Sequence, residues 1–258
     1  MKNFLKIFVI SFLSLLGVLI LIISILTWIV FTPGKLTPLV RKQAEKYITC
    51  KSDIGSVELT FFSTFPEFGL KVNGLTLINP VNGAGSDTLL RVDELVGIVD
   101  AKALWKKNDI ILVGLEMNGG LVNIYSDSLG NTNYNIVSPD SVAEPPESQA
   151  TELPYIDIKS FKINDVNLHY ADMSLRFNTL IHNLGVKLKG VVSNDSVKGD
   201  VKFSTSMLSL QYGGDSLKTE IRDLEAVING IVKKDSISGH IIINSPSMSL
   251  EYVGEKYL

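Results

Sequence analysis

Cysteine occurs once in the 258-residue chain, as Cys50, and histidine three times, as His169, His182 and His240. A single cysteine excludes an intramolecular disulfide framework. The histidines lack metal-ligand spacing and none lies near Cys50 in the sequence, so neither a zinc site nor a Cys–His nucleophile is expected. Gly83-Ala84-Gly85 has no third glycine and no following helix, and no G-x-S-x-G or phosphate-loop pattern occurs. His169 sits between Asp165 and Asp172, but strand alternation places it on a wet face among turn carboxylates, a structural position. No catalytic residue, metal or cofactor is assigned, and the chain is not expected to be an enzyme.

Acidic residues are absent before Glu45. Five of the 24 basic residues precede that point, so residues 45–258 hold 19 basic against 27 acidic side chains, a net charge of −8. A body this acidic excludes nucleic acid and other polyanions as partners.

Charge of either sign is missing from Ile7 to Phe31, 25 residues of which 19 are Leu, Ile, Val or Phe. As a helix this run reaches about 37 Å, enough to cross a hydrocarbon core of about 30 Å. It is longer than a signal h-region, and the first alanine is Ala44, so no A-x-A-like cleavage site follows. An uncleaved membrane anchor is expected, with Ile7, Leu16, Leu21, Trp28 and Phe31 as its membrane residues and Trp28 at the interface. Basic residues flank it on both sides, Lys2 and Lys6 before and Lys35, Arg41, Lys42 and Lys46 after. The short basic segment ahead of the run places the N-terminus in the cytoplasm.

Thr37-Pro38 reads as a helix N-cap followed by proline at the first helical position. Leu36, Leu39, Val40, Ala44 and Tyr47 then recur at helical spacing opposite Arg41, Lys42, Glu45 and Lys46, predicting a short amphipathic helix packed on the following domain. From Asp53 the period becomes two, and the chain reads as strands almost throughout. Asn73-Gly74 is turn-like, and Ile110–Met117 with Leu121–Tyr125 reads as a hairpin over Asn118-Gly119-Gly120. Asn164-Asp165 marks a turn or bulge between Tyr155–Ile163 and Val166–Tyr170. Residues 138–154 hold four prolines and four acidic residues but no basic one, and are expected to be a solvated linker.

The last 80 residues repeat at a period of 40: Ile181, Leu184, Gly190, Val192, Gly199, Leu210 and Tyr212 recur as Ile221, Leu224, Gly230, Val232, Gly239, Leu250 and Tyr252. Asn194-Asp195-Ser196 and Lys234-Asp235-Ser236 fall at equivalent hairpin turns. Alternation gives each copy one apolar and one wet face. Such a sheet must cover its apolar face with a second sheet, helices or a ligand, and the helices are too few. A filled β-sandwich or barrel and an open groove both stay possible.

In its N-terminal anchor, its Leu36–Tyr47 segment, the stretch from Phe65 to Pro80 and the stretch from Ile163 to Tyr170, the sequence resembles the AsmA-like family of repeating β-groove, bridge-like lipid-transfer proteins. The resemblance implies a single-pass protein of the Gram-negative inner membrane. Its periplasmic body, an elongated, curved antiparallel sheet with 40-residue repeats, would shield phospholipid acyl chains during transfer towards the outer membrane. Implied partners are membrane phospholipids, the inner membrane itself and outer-membrane or periplasmic envelope proteins. A sandwich-type scaffold or assembly factor without lipid transport is the alternative. The candidate lipid-contacting residues are Leu184, Val186, Leu188, Val201, Phe203, Leu224, Ala226, Ile228, Ile241 and Ile243. Four segments follow: 1–34, cytoplasmic tip and anchor; 35–137, a β-rich domain opening with the amphipathic helix; 138–154, the linker; and 155–258, the repeating groove. Relatives are usually much longer, so a fragment, a short paralogue and an end-to-end docking subunit are all expectations.

Overall fold

A computed structural model describes residues 17–18, 21, 32–60, 67–100, 111–138, 156–193, 195–214, 216–233 and 235–252. Of the apolar run, only Gly17, Val18 and Leu21 are described; all three are helical. Ile7, Leu16, Trp28 and Phe31 lie outside the described residues, as do Phe65-Pro66 and nearly all of the 138–154 segment. No helix among the described residues is long and apolar enough to cross a membrane.

Helix α1 spans Pro33–Tyr47 and begins five residues earlier than Thr37-Pro38 implies. Thr32 is the extended N-cap, and Pro33, with its preset φ, takes the first turn. Pro38 therefore lies inside the helix, and the Thr37 hydroxyl accepts a hydrogen bond from the Val57 N–H at 2.8 Å instead of capping. Leu36, Val40 and Ala44, at i, i+4 and i+8, pack on Ile54, Val57 and Val72 as the amphipathic pattern anticipates.

All ten described strands belong to one sheet: β1 (Ser52–Thr60), β2 (Phe68–Ile78), β3 (Thr88–Val99), β4 (Leu112–Ser126), β5 (Ile156–Asp172), β6 (Phe177–Val192), β7 (Ser196–Tyr212), β8 (Leu217–Lys233), β9 (Ser236–Asn244) and β10 (Ser247–Tyr252). They run in chain order, with β9 and β10 pairing successive halves of β8. Nine strand positions at about 4.8 Å make a sheet roughly 40 Å across. No second sheet faces it among the described residues, so the described chain lacks the second layer of a sandwich.

Two readings of the sequence are corrected. Asn118-Gly119-Gly120 is no hairpin turn: β4 passes straight through it, with Gly119 at φ 63° and Gly120 at φ 128°. A Cβ on Gly120 would overlap the Arg91 carbonyl oxygen of β3, so the glycine pair serves a close strand approach rather than a reversal. Likewise β2 continues through Asn73-Gly74. Second, the sheet is not wholly antiparallel, because β5 pairs parallel to β4. A parallel neighbour needs a long crossover. Its described part leaves β4 through a turn in which the Asp127 carboxylate accepts the Leu129 and Asn131 N–H groups at 2.8 Å. It then returns to α1, where Val137 bridges Ile48 and the Ser138 N–H donates to Tyr47 O at 2.9 Å.

Candidate functional site

Strand partners directly opposite each other share a face, so the registers define rows of side chains crossing the whole sheet. One row runs Val57, Val72, Leu95, Met117, Ile163, Val186, Phe203, Ala226, Ile243. The next runs Leu59, Leu70, Gly97, Leu115, Phe161, Leu188, Val201, Ile228, Ile241. Both are apolar from edge to edge. Eight of the ten candidate residues fall in these two rows. Leu184 and Leu224 belong to the adjoining row, with Ile54, Leu75, Val92, Val166 and the buried Thr205.

Each of these strands makes one step of three residues instead of two: in β1–β5 it falls between the Ile54 row and the Val57 row, as from Ile54 to Val57, Val72 to Leu75 and Ile163 to Val166, and in β6–β8 it falls one row further on, beyond Leu184 and Leu224, as from Ile181 to Leu184 and Ile221 to Leu224. In a regular strand, residues three apart face opposite sides. Here one residue inside the step is left-handed in β2, β4, β5, β6 and β8: Gly74, Gly119, Asp165, Asn183 and Asp223. The turn of the backbone returns the apolar side chains to one face, as the shared cluster of Ile54, Val57, Val72 and Leu75 demonstrates. In β7 the Thr205 hydroxyl holds the step, 2.7 Å from His182 O and 2.9 Å from Met207 O. Ser245, forty residues on, stands 2.8 Å from Arg222 O and 3.0 Å from Ser247 O. Thr179 donates to Ser209 O at 2.8 Å and Thr219 to Ser249 O at 2.7 Å, again forty apart.

Exposure along the Val57 row rises from one edge of the sheet to the other. Val57 is fully buried under α1, whereas Ile243 is 65% exposed and its neighbour Ile241 is 67% exposed. The opposite face carries charged and amide side chains, together with a small buried cluster of Val96, Ile98 and Val113. Lys71 lies 2.9 Å from Glu58 and 3.5 Å from Glu94, Asn118 donates to Glu94 at 2.9 Å, and Lys162 lies 2.6 Å from Glu116. The hydrogen bond from Lys71 holds the Glu58 carboxyl below its ordinary range, and Glu58 in turn raises Lys71.

The groups that could do chemistry are engaged elsewhere. His169 Nε2 lies 2.9 Å from Asn178 Oδ1 on the neighbouring strand. Burial pushes the Cys50 thiol up, which keeps it protonated and weakly nucleophilic at neutral pH. Among the described residues no group of three His, Cys, Asp or Glu could hold a metal ion.

The N-terminal halves of the apolar rows, through Leu95, Met117 and Ile163, escape a reading based on the repeat alone. Their signal in the sequence is the alternation carried across the three-residue step. Comparison with protein-family models, with curated proteins and with solved structures finds no match to this chain.

Proposed function

We propose that the chain is a membrane-anchored protein of the Gram-negative envelope that shields lipid acyl chains along the apolar face of its sheet. Its N-terminus is cytoplasmic, its bulk is periplasmic, and it takes part in phospholipid transfer or envelope biogenesis between the inner and outer membranes. The observation behind this reading is the pair of apolar rows running unbroken across nine strand positions, covered by α1 at the β1–β2 end and faced by no second sheet among the described residues. A hydrocarbon chain needs apolar contact and no catalytic group. Complete burial of a 16-carbon chain at about 0.8 kcal/mol per methylene amounts to about 13 kcal/mol, so an open face that releases its cargo suits transfer better than a closed cavity. In this reading the two hairpins β6–β7 and β8–β9/β10, with hydrogen bonds repeated forty residues apart, are successive units of one curved groove.

Adjacent strand positions supply the test. A photocrosslinking residue at Val186 or Val201 of the full-length protein is expected to capture phospholipid in membranes, whereas one at Lys187 or Lys202 is not. Equal capture from both faces, or none from Val186 and Val201, overturns the groove. The scaffold reading draws on the uncharged outer strand β9, an edge suited to pairing with another envelope protein. It predicts protein crosslinks from β9 and no lipid.

A further inference from the structure

We propose that the outward face of α1 is a docking surface for anionic phospholipid headgroups, so that one helix joins the sheet on one side to the bilayer surface on the other. The inference rests on the membrane-anchored reading but not on the groove.

Helix α1 has two occupied sides with different chemistry. Leu36, Val40 and Ala44 face the sheet, and Thr37 and Arg41 bond to β1. Diametrically opposite, Lys35, Leu39, Lys42 and Lys46 follow one another at i, i+4, i+7 and i+11, and all four are exposed. At 3.6 residues per turn they fall within an arc of about 60°. Leu39 is 58% exposed, an apolar residue set in the middle of three ammonium groups. None of the three lysines forms an ion pair among the described residues.

That stripe runs against the charge of the molecule. Residues 45–258 have a net charge of −8, whereas α1 has Lys35, Arg41, Lys42 and Lys46 against Glu45 alone. A basic face with an embedded leucine, on a helix that begins two residues after the apolar run ends at Phe31, complements an anionic membrane surface. The acidic body favours such a flat surface over a polyanion that would wrap it. Near an anionic bilayer each lysine contributes about fivefold in partitioning, and three together about a hundredfold.

The test uses the full-length chain with Cys50→Ser and an environment-sensitive fluorophore on Leu39→Cys. It is added to phosphatidylcholine vesicles with and without 30 mol% phosphatidylglycerol. The expected result is a blue shift, quenched by doxyl-labelled lipid, on the anionic vesicles only and reversed by high salt. The triple variant Lys35→Gln, Lys42→Gln, Lys46→Gln should lose it with an unchanged circular dichroism spectrum, since all three side chains are exposed. A probe on Ser204→Cys, on the polar face of β7, should not respond. Equal signals on both vesicles, an unchanged signal in the triple variant or no association with anionic vesicles overturns the proposal. Carbonate extraction separates it from the anchor: a chain stripped by carbonate that keeps the anionic signal refutes the anchor and retains the surface.

Discussion

The Thr37 hydroxyl accepts the Val57 N–H at 2.8 Å, and one turn on, Arg41 Nη2 donates to Ile54 O at 2.5 Å. Two side chains of α1 thereby take up backbone groups on the open edge of β1, which would otherwise be a template for another strand. Thr37→Ala leaves the Val57 N–H unpartnered in a half-buried site and is expected to cost about 1–2 kcal/mol in denaturant unfolding. Hydrogen exchange at the Val57 amide should accelerate in the variant, while amides in β7 keep their protection.

The opposite edge has no such closure. Strand β9 contains no Asp, Glu, Lys or Arg over its nine residues, and Ile242 on its polar side is 55% exposed. Uncharged edges of this length invite strand pairing. Sedimentation of the purified protein should show association that grows with concentration, and Ile242→Lys should suppress it without lowering the thermal midpoint.

Within the apolar face the cost of truncation should follow exposure. Leu184 is 6% exposed, and Leu184→Ala is expected to destabilise by about 2–5 kcal/mol. Ile241→Ala, at an exposed position of the same face, should stay within about 0.5 kcal/mol of the parent while reducing lipid crosslinking from Val201.

Two left-handed glycines should respond differently to alanine. At Gly120 a Cβ would overlap the Arg91 carbonyl oxygen, whereas at Gly214, with φ 74°, nothing lies within 4 Å. Gly214→Ala therefore incurs only left-handed strain of about 1–2 kcal/mol. Gly120→Ala adds a clash between backbones and is expected to separate β3 from β4, visible as lost amide protection at Val92.

The Glu58–Lys71 pair sets limits on pH. Glu58 is lowered from its ordinary 4.5, first by Lys71 and then by Asn73, so its stabilisation is complete above that value and is lost as pH falls through the lowered one. Lys71 is raised from 10.5, first by Glu58, so its stabilisation is complete below that value and is lost as pH rises through the raised one. Thermal midpoints should form a plateau between about pH 5 and 10 and decline on both sides. Glu58→Gln should flatten the acid limb attributable to this pair.

Strands, the packed helix and a one-sided apolar face were legible because each rests on local period: two residues for a pleat, 3.6 for a helix. The spacing of Leu36, Val40 and Ala44 and the alternation through Leu184, Val186 and Leu188 specify which side chains share a face, whatever covers it. Non-local decisions were not legible. Asn118-Gly119-Gly120 has the composition of a hairpin, and only the Arg91 carbonyl of the neighbouring strand shows why glycine is needed in a strand that never turns. The helix starts at Pro33 rather than Pro38, and the Thr37 hydroxyl that reads as a cap is spent on β1, a contact 20 residues away. The parallel pairing of β4 with β5 depends on a crossover anchored at Ile48 and Val137, far apart in sequence. The sequence alone determined that one face is apolar. Tertiary structure decided that the strands form one open sheet and that the three-residue steps fall between the same two rows in β1–β5 and one row further on in β6–β8, because register is set by neighbouring backbones.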